Sequence, residues 1–241
     1  MVVAGFKKVN SKRIFNVLTE PDNPTKKIII MSHGFRGSSI GPARSFVNFE
    51  NVLIKSGYSV LRFDQPGCGN SEGDFLDSSF NDWVETIVYF VKKYLNYGYQ
   101  VFLLGQSMGA IASVIAVSNK EIRGKINCLL LWVPDPKIGI SVEPDKTYEE
   151  NGQVYKGSFW TEVSDSNFIK CLNDFDGAVH LVYGEKDRYI NEQERNEVIN
   201  IVKKKQQPYL ILKGQDHSPW DYEVAQKVFT EQIKFLQKHS K

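Results

Sequence analysis

The sequence predicts an α/β protein: parallel strands joined by crossover helices that cover both faces of one sheet. Two observations carry this. Short apolar runs rich in Ile, Val and Leu recur along the 241 residues, each about the length of a buried parallel strand. Stretches with the 3.6-residue period of an amphipathic helix lie between them. A third observation marks the exception, since residues 134–164 keep neither period.

In chain order, residues 12–18 form a β-rich run and residues 2–9 are a second candidate strand. The turn Pro21-Asp22-Asn23-Pro24 precedes the Ile-rich run 27–32, and further runs follow at 58–63, 100–105, 126–133, 178–183 and 208–212. The clearest helix is 80–95, where Phe80, Trp83, Val84, Ile87, Val88, Val91 and Leu95 share one face and Ser79 with Asp82 makes a capping pair. Other helices are expected at about 44–56, 108–119, 191–204 and 219–238. The segment 134–164 holds Pro134, Pro136, Pro144 and several aromatics; it reads as a short insertion over one end of the sheet, too short to bury a core of its own. Residues 1–241 are therefore expected to form a single domain that includes this insertion.

Composition excludes several function classes. Lys and Arg total 30 against 28 Asp and Glu, a net charge of +2, which gives no reason to expect a nucleic-acid partner. Lys203-Lys204-Lys205 is read as a solvated helix face, with a phosphate-binding patch as the alternative. The three cysteines, Cys68, Cys128 and Cys171, are odd in number and widely spaced, against a disulfide framework or a Cys-rich metal site and in favour of a reducing compartment. The first residues lack the apolar core of a signal peptide, and no apolar run reaches bilayer length, so the expectation is a cytoplasmic protein with no membrane partner.

The chemistry concentrates in loops that follow strands. Gly105-Gln106-Ser107-Met108-Gly109 lies where an apolar strand meets an apolar helix. A strand that becomes a helix within one or two residues holds the central serine in a strained conformation above the sheet edge, with small neighbours required. The alternative is a glycine-rich turn without chemistry. A serine hydroxyl needs a base to take its proton. Of four histidines, His33 follows a strand, His180 lies inside one, His239 is near the C-terminus, and His217 sits in a polar loop on the same edge as Ser107. His217 is therefore the expected base. The residue that orients it is expected to be Asp187, after the strand ending at Tyr183, with Glu185 and Asp135 as rivals. Backbone N–H groups of Met108 and Phe35 are the expected oxyanion donors, with a plain strand-end turn as the alternative at His33-Gly34. The loop from Asp64 to Gly73 reads as structural, held by Asp64, in preference to a phosphate cradle. No His or Cys cluster has metal-ligand spacing, and no cofactor is expected. Within the insertion, Tyr155 and Trp160 are candidate substrate contacts, unless they only pin the insertion to the body.

The pieces His33-Gly34-Phe35, Asp64-x-x-Gly67-x-Gly69-x-Ser71, Gly105-x-Ser107-x-Gly109, Gly184-x-x-Asp187 and Asp216-His217 make the chain resemble an α/β hydrolase over nearly its whole length. Within that superfamily it is most similar to small bacterial carboxylesterases near the cinnamoyl (feruloyl) esterases and monoacylglycerol lipases. The resemblance implies an α/β-hydrolase fold with a mostly parallel eight-stranded sheet flanked by helices and a cap inserted after the sixth strand. It also implies hydrolysis of small carboxylic esters through an acyl-enzyme, and the order Ser107, Asp187, His217 is the one this fold uses. A thioesterase or small-peptide hydrolase would use the same three residues. A non-catalytic ligand-binding protein on the same scaffold is the alternative of a different class.

Overall fold

Ten strands form in the computed structural model, which describes residues 1–136 and 142–240. They are β1 (Val2–Val9), β2 (Lys12–Thr19), β3 (Lys27–Ser32), β4 (Ser59–Phe63), β5 (Gln100–Gln106), β6 (Cys128–Trp132), β7 (Thr147–Glu150), β8 (Gln153–Lys156), β9 (Ala178–Gly184) and β10 (Tyr209–Leu212). Eight of them make one sheet in the order β1-β2-β4-β3-β5-β6-β9-β10. The pairs β1–β2 and β2–β4 are antiparallel and the rest are parallel. Strands β4, β6 and β9 are buried at every position, as strands covered on both faces must be. Edge strand β1 is exposed along most of its length.

Among the described residues there are seven α-helices: α1 (Ser45–Lys55), α2 (Phe80–Asn96), α3 (Met108–Ser118), α4 (Ser158–Asp165), α5 (Phe168–Asp174), α6 (Glu192–Lys204) and α7 (Tyr222–Lys238). Ser79 caps α2, its hydroxyl accepting the Asp82 N–H at 3.4 Å, and the apolar face from Phe80 to Val91 is buried. Helix α3 is apolar all round and correspondingly buried, packed between the sheet, α2 and α5.

Register decides where chemistry can happen. Ser32 lies beside Gly105, Gln106 beside Trp132, and Leu212 beside Gly184, so the parallel strands end together. The loops beginning at His33, Ser107, Val133, Glu185 and Lys213 therefore emerge on one edge.

The predicted elements form, with three differences. Helix α7 starts at Tyr222 instead of 219, because Asp221 sits at its N-terminal boundary and donates its N–H to Gln215 Oε1 at 2.8 Å, so residues 219–221 belong to the preceding loop. The insertion at 134–164, of which residues 137–141 lie outside the described part, is more regular than its sequence suggests: it carries the hairpin β7–β8 and α4. Asn151-Gly152 is the missed signal. Both residues take positive φ, 51° and 78°, as a two-residue hairpin turn requires. Helix α5 was not anticipated either, since seven residues give barely two turns of periodicity.

The lysine run closes α6, where Lys203 and Lys204 are exposed and Lys205 donates to the Phe175 carbonyl at 2.8 Å. All three cysteines are free. Among the described residues no helix is long and apolar enough to cross a membrane.

His180 sits in β9 at 2% exposure, against the Phe235 ring, and burial pushes its pKa down to about 4. The unfolded chain takes up that proton near pH 6.5, so the unfolded state binds more protons in between. The resulting stability is complete above about pH 6.5 and is lost as the pH falls toward 4. At pH 5 the loss from this one group is about 2 kcal/mol. His180→Gln, which cannot protonate, should narrow the difference in urea-unfolding free energy between pH 7.5 and pH 5 by about that amount; an unchanged difference would show that His180 is not held neutral.

Candidate active site

Ser107 is the single residue between β5 and α3, at φ 53° and ψ −121°. Its N–H donates to the Trp132 carbonyl at 2.8 Å, and its carbonyl accepts from Ala110 N–H at 2.9 Å. The flanking glycines are there because nothing larger fits. A Cβ on Gly105 would lie 2.4 Å from Ala110 Cα, and one on Gly109 would lie 2.2 Å from the Ser32 carbonyl oxygen.

The Ser107 hydroxyl meets His217 Nε2 at 2.8 Å, and His217 Nδ1 meets Asp187 Oδ2 at 2.7 Å. The Asp187 side chain is fully buried, and its Oδ1 accepts from the N–H groups of Tyr189 and Ile190 at 2.9 and 3.1 Å. An acceptor-only carboxylate at Nδ1 assigns the ring proton to that nitrogen and leaves the Nε2 lone pair for the Ser107 hydroxyl. The loops carrying Asp187 and His217 are tied together by their neighbours. Asp216 accepts from the Arg188 side chain at 2.5 Å and from His217 N–H at 2.7 Å, and the Arg188 guanidinium holds its pKa down at about 2. A Cβ on Gly184 would strike the Asp216 carbonyl oxygen at 2.2 Å.

The rival carboxylates go elsewhere. Glu185 accepts from Gly214 N–H at 2.8 Å, and Asp135 is buried in the wall of the cavity above Ser107. Of the other histidines, His33 accepts Gln65 N–H at Nε2 (2.9 Å) and donates from Nδ1 to the Gly34 carbonyl (2.8 Å), and burial lowers its pKa. His180 is in the core, and His239 packs on Phe235.

The loop after β3 comes close to Ser107 because residue 34 has no side chain: a Cβ there would lie 3.0 Å from Ser107 Cβ. Gln106, unremarked in the sequence, fixes this approach. Its Oε1 accepts Gly34 N–H at 2.9 Å, and its Nε2 donates to Ser218 Oγ at 3.0 Å, linking the loops of His33, Ser107 and His217. Further along, Asp64 Oδ1 accepts Ser39 N–H at 2.6 Å while Oδ2 accepts Asn70 N–H at 2.8 Å. The buried pair Arg62–Glu50 adds a bond from Arg62 Nη1 to the Ser39 carbonyl at 2.9 Å. The loop from Asp64 to Gly73 thus braces the loop that carries Phe35.

A cavity of about 830 Å³ opens above Ser107, and its lining includes Phe35, Met108, Tyr155, Trp160 and His217. Met108 is the first residue of α3, where an N–H has no intrahelical acceptor. The aromatics of the insertion divide between two tasks. Phe159 is buried against Trp83, with ring centroids 5.3 Å apart, and anchors α4. Tyr155 and Trp160 reach the cavity and also pack on Phe35, at 5.2 and 4.8 Å. Tyr189, which the sequence did not single out, lays its ring 5.2 Å from that of His217. Among the described residues no group of three or more His, Cys, Asp or Glu is placed to hold a metal ion.

The crowding at Gly109 has a measurable consequence. Gly109→Ala should lower unfolding free energy by on the order of 3 kcal/mol or more, because backbone must move. Gly5→Ala, with nothing within 4 Å of the added carbon, should cost under about 1 kcal/mol. Equal effects of the two in chemical denaturation would contradict the packing described.

The model of the family described as "Serine aminopeptidase, S33" matches residues 23–148, just over half the chain, including Ser107 but neither Asp187 nor His217. Proline iminopeptidase of Clostridioides difficile (strain 630) is 29% identical over 126 residues, covering 48% of this chain and only 41% of that protein's length. Among solved structures, Est1E from Butyrivibrio proteoclasticus with ferulic acid bound is similar at a TM-score of 0.84 and 20% identity, over 98% of this chain and 99% of that one. The monoacylglycerol lipase of Paleococcus ferrophilus is similar at 0.77 and 18% identity, over 94% and 99%. At such identities the structural likeness is one of fold.

Proposed function

The chain belongs to the serine aminopeptidase S33 family of α/β hydrolases, and within it we propose an enzyme that cleaves small carboxylic esters through an acyl-enzyme on Ser107. The observation that carries the proposal is the hydrogen-bonded series Ser107–His217–Asp187 beneath a cavity walled by Phe35, Tyr155 and Trp160. In this reading Ser107 Oγ attacks the ester carbonyl carbon while its proton passes to His217 Nε2. Asp187, buried and fixed by two backbone donors, stabilises the imidazolium that forms. The N–H groups of Met108 and Phe35 receive the oxyanion, a contribution on the order of 10²-fold or more per donor. Collapse expels the alcohol, which takes the proton from His217. Water, deprotonated by His217, then releases the acid and restores the serine.

Peptide cleavage is the second reading, favoured by the family's description and by the similarity to a proline iminopeptidase. An aminopeptidase must recognise a cationic amine; of the two carboxylates in the described cavity wall, Glu150 is already engaged by Arg36, and Asp135 is buried and already partnered. That pairing and the aromatic wall support the ester.

A panel of p-nitrophenyl esters set against aminoacyl p-nitroanilides, proline included, tests both readings. Esters should turn over at least a hundredfold faster; the reverse order would establish the peptidase. Ser107→Ala should lose turnover by on the order of 10⁴-fold or more with the fold intact, and a fluorophosphonate should label only the protein that retains Ser107. Asp187→Asn should damage turnover far more than Asp135→Asn. The opposite ranking would move the acid to the end of β6.

A further inference from the structure

The hairpin β7–β8 brings Tyr155 to the cavity, and two ion pairs join it to the body among the described residues. Lys156–Asp77, at 3.1 Å, has side chains 47% and 68% exposed, a setting in which ion pairs contribute little. Arg36–Glu150 is better shielded and doubly bonded. Arg36 Nη2 donates to Glu150 Oε1 and Nη1 to the Glu150 carbonyl, both at 2.8 Å, with the arginine side chain 20% exposed.

The backbone at Arg36 makes this pair unusual. Gly37 N–H bonds the Gly34 carbonyl at 3.0 Å, so residues 34–37 form a turn, and Arg36 holds its third position with φ 58°. Glycine is the residue suited to a third turn position with positive φ; long side chains rarely take it. Here the left-handed backbone carries an arginine that spans to the hairpin, 114 positions away in sequence. The preceding residue is Phe35, whose ring lies edge-on to Tyr155 at 5.2 Å and beneath the Arg36 guanidinium at 5.6 Å. Helix α4, by contrast, has moorings of its own. Glu162 accepts from Ser79 Oγ at 2.7 Å and from Asn81 N–H at 3.0 Å, and Phe159 is buried. Trp160 is thus held without Arg36; Tyr155 packs on Phe35 and stacks on Tyr148, and the hairpin that carries it is tied to the Phe35 loop by the Arg36–Glu150 pair.

We propose that Arg36 and Glu150 form a specificity clamp: by holding the hairpin down they fix Tyr155 as the wall against which the bulky apolar part of an ester packs. The proposal rests on the ester-hydrolase reading for its substrate. Esters large enough to reach Tyr155 depend on the clamp for binding, and slender esters that stop short of it depend on it much less. Arg36 and Glu150 are positioning residues, acting through Tyr155 and not on the reacting atoms.

The test compares the unaltered protein with Arg36→Gly, Glu150→Gln and the double variant on p-nitrophenyl acetate and on a p-nitrophenyl ester of a ring-bearing acid. Hydrogen exchange is followed in parallel at residues 147–156 and 158–165. Arg36→Gly suits the turn, so a loss of fold is not expected from it, and Glu150→Gln leaves the turn untouched. Arg36→Gly should lower kcat/KM for the ring-bearing ester at least tenfold more than for the acetate, chiefly through KM, and Glu150→Gln, which keeps the bond to the residue-150 carbonyl, should act in the same direction by less. The double variant should resemble Arg36→Gly, which already removes both bonds. Hairpin amides should exchange at least tenfold faster, with α4 unaffected. Equal proportional losses on both esters, additive single effects, or unchanged hairpin exchange would each overturn the clamp. An unaltered protein inert toward both esters would instead sink the ester reading, and the exchange data would still decide whether the clamp holds the hairpin.

Discussion

Because β5 becomes α3 within one residue, Ser107 is driven to φ 53° and ψ −121°, a conformation that costs roughly 1–3 kcal/mol and must be enforced from outside. The enforcement is visible on every side. Gly105 and Gly109 leave no room for the chain to relax, the Trp132 carbonyl holds the Ser107 N–H, and α3 is packed all round. The hydroxyl consequently stands above the sheet edge, where the parallel register brings the loops of β9 and β10 to meet it.

Much of the surrounding structure serves to keep those loops in place. Gln106 ties two loops, those of His33 and His217, to the serine's own turn. The Asp216–Arg188 pair joins the residue before His217 to the residue after Asp187. Asp64 and the Arg62–Glu50 pair brace the loop of Phe35 from beneath. Apart from the exposed Asp216–Arg188 pair, these bonds are partly or wholly buried and costly to break, and their combined effect is to fix distances between atoms far apart in the chain. A relay of hydrogen bonds at 2.8 and 2.7 Å needs that precision from three separate strand ends.

The buried parallel strands were legible because covering both faces makes them apolar throughout, as in Ile28-Ile29-Ile30 and in β9. The convergence of Ser107, His217 and Asp187 on one sheet edge was legible because each follows an apolar strand, although β10, at the end of the sheet, is only partly buried. The hairpin β7–β8 was missed although Asn151-Gly152 announces it, since four-residue strands show too little alternation to stand out among prolines and aromatics. Gln106 sits at the variable position of its motif and acquires meaning only when Gly34 and Ser218 are beside it. Arg36 reads as an ordinary loop cation until the turn places it opposite Glu150. Such roles arise from long-range contact and leave no periodic trace.

Acylation of Ser107 is the step on which the proposed mechanism turns. Rapid mixing with a p-nitrophenyl ester, followed by acid quench and peptide mass spectrometry, measures this directly. A burst of p-nitrophenol near one equivalent per chain is expected wherever deacylation is the slower step, with the acyl mass on the peptide containing Ser107 and its accumulation abolished in Ser107→Ala. An acyl mass on another residue, or turnover that survives in Ser107→Ala, would contradict the mechanism.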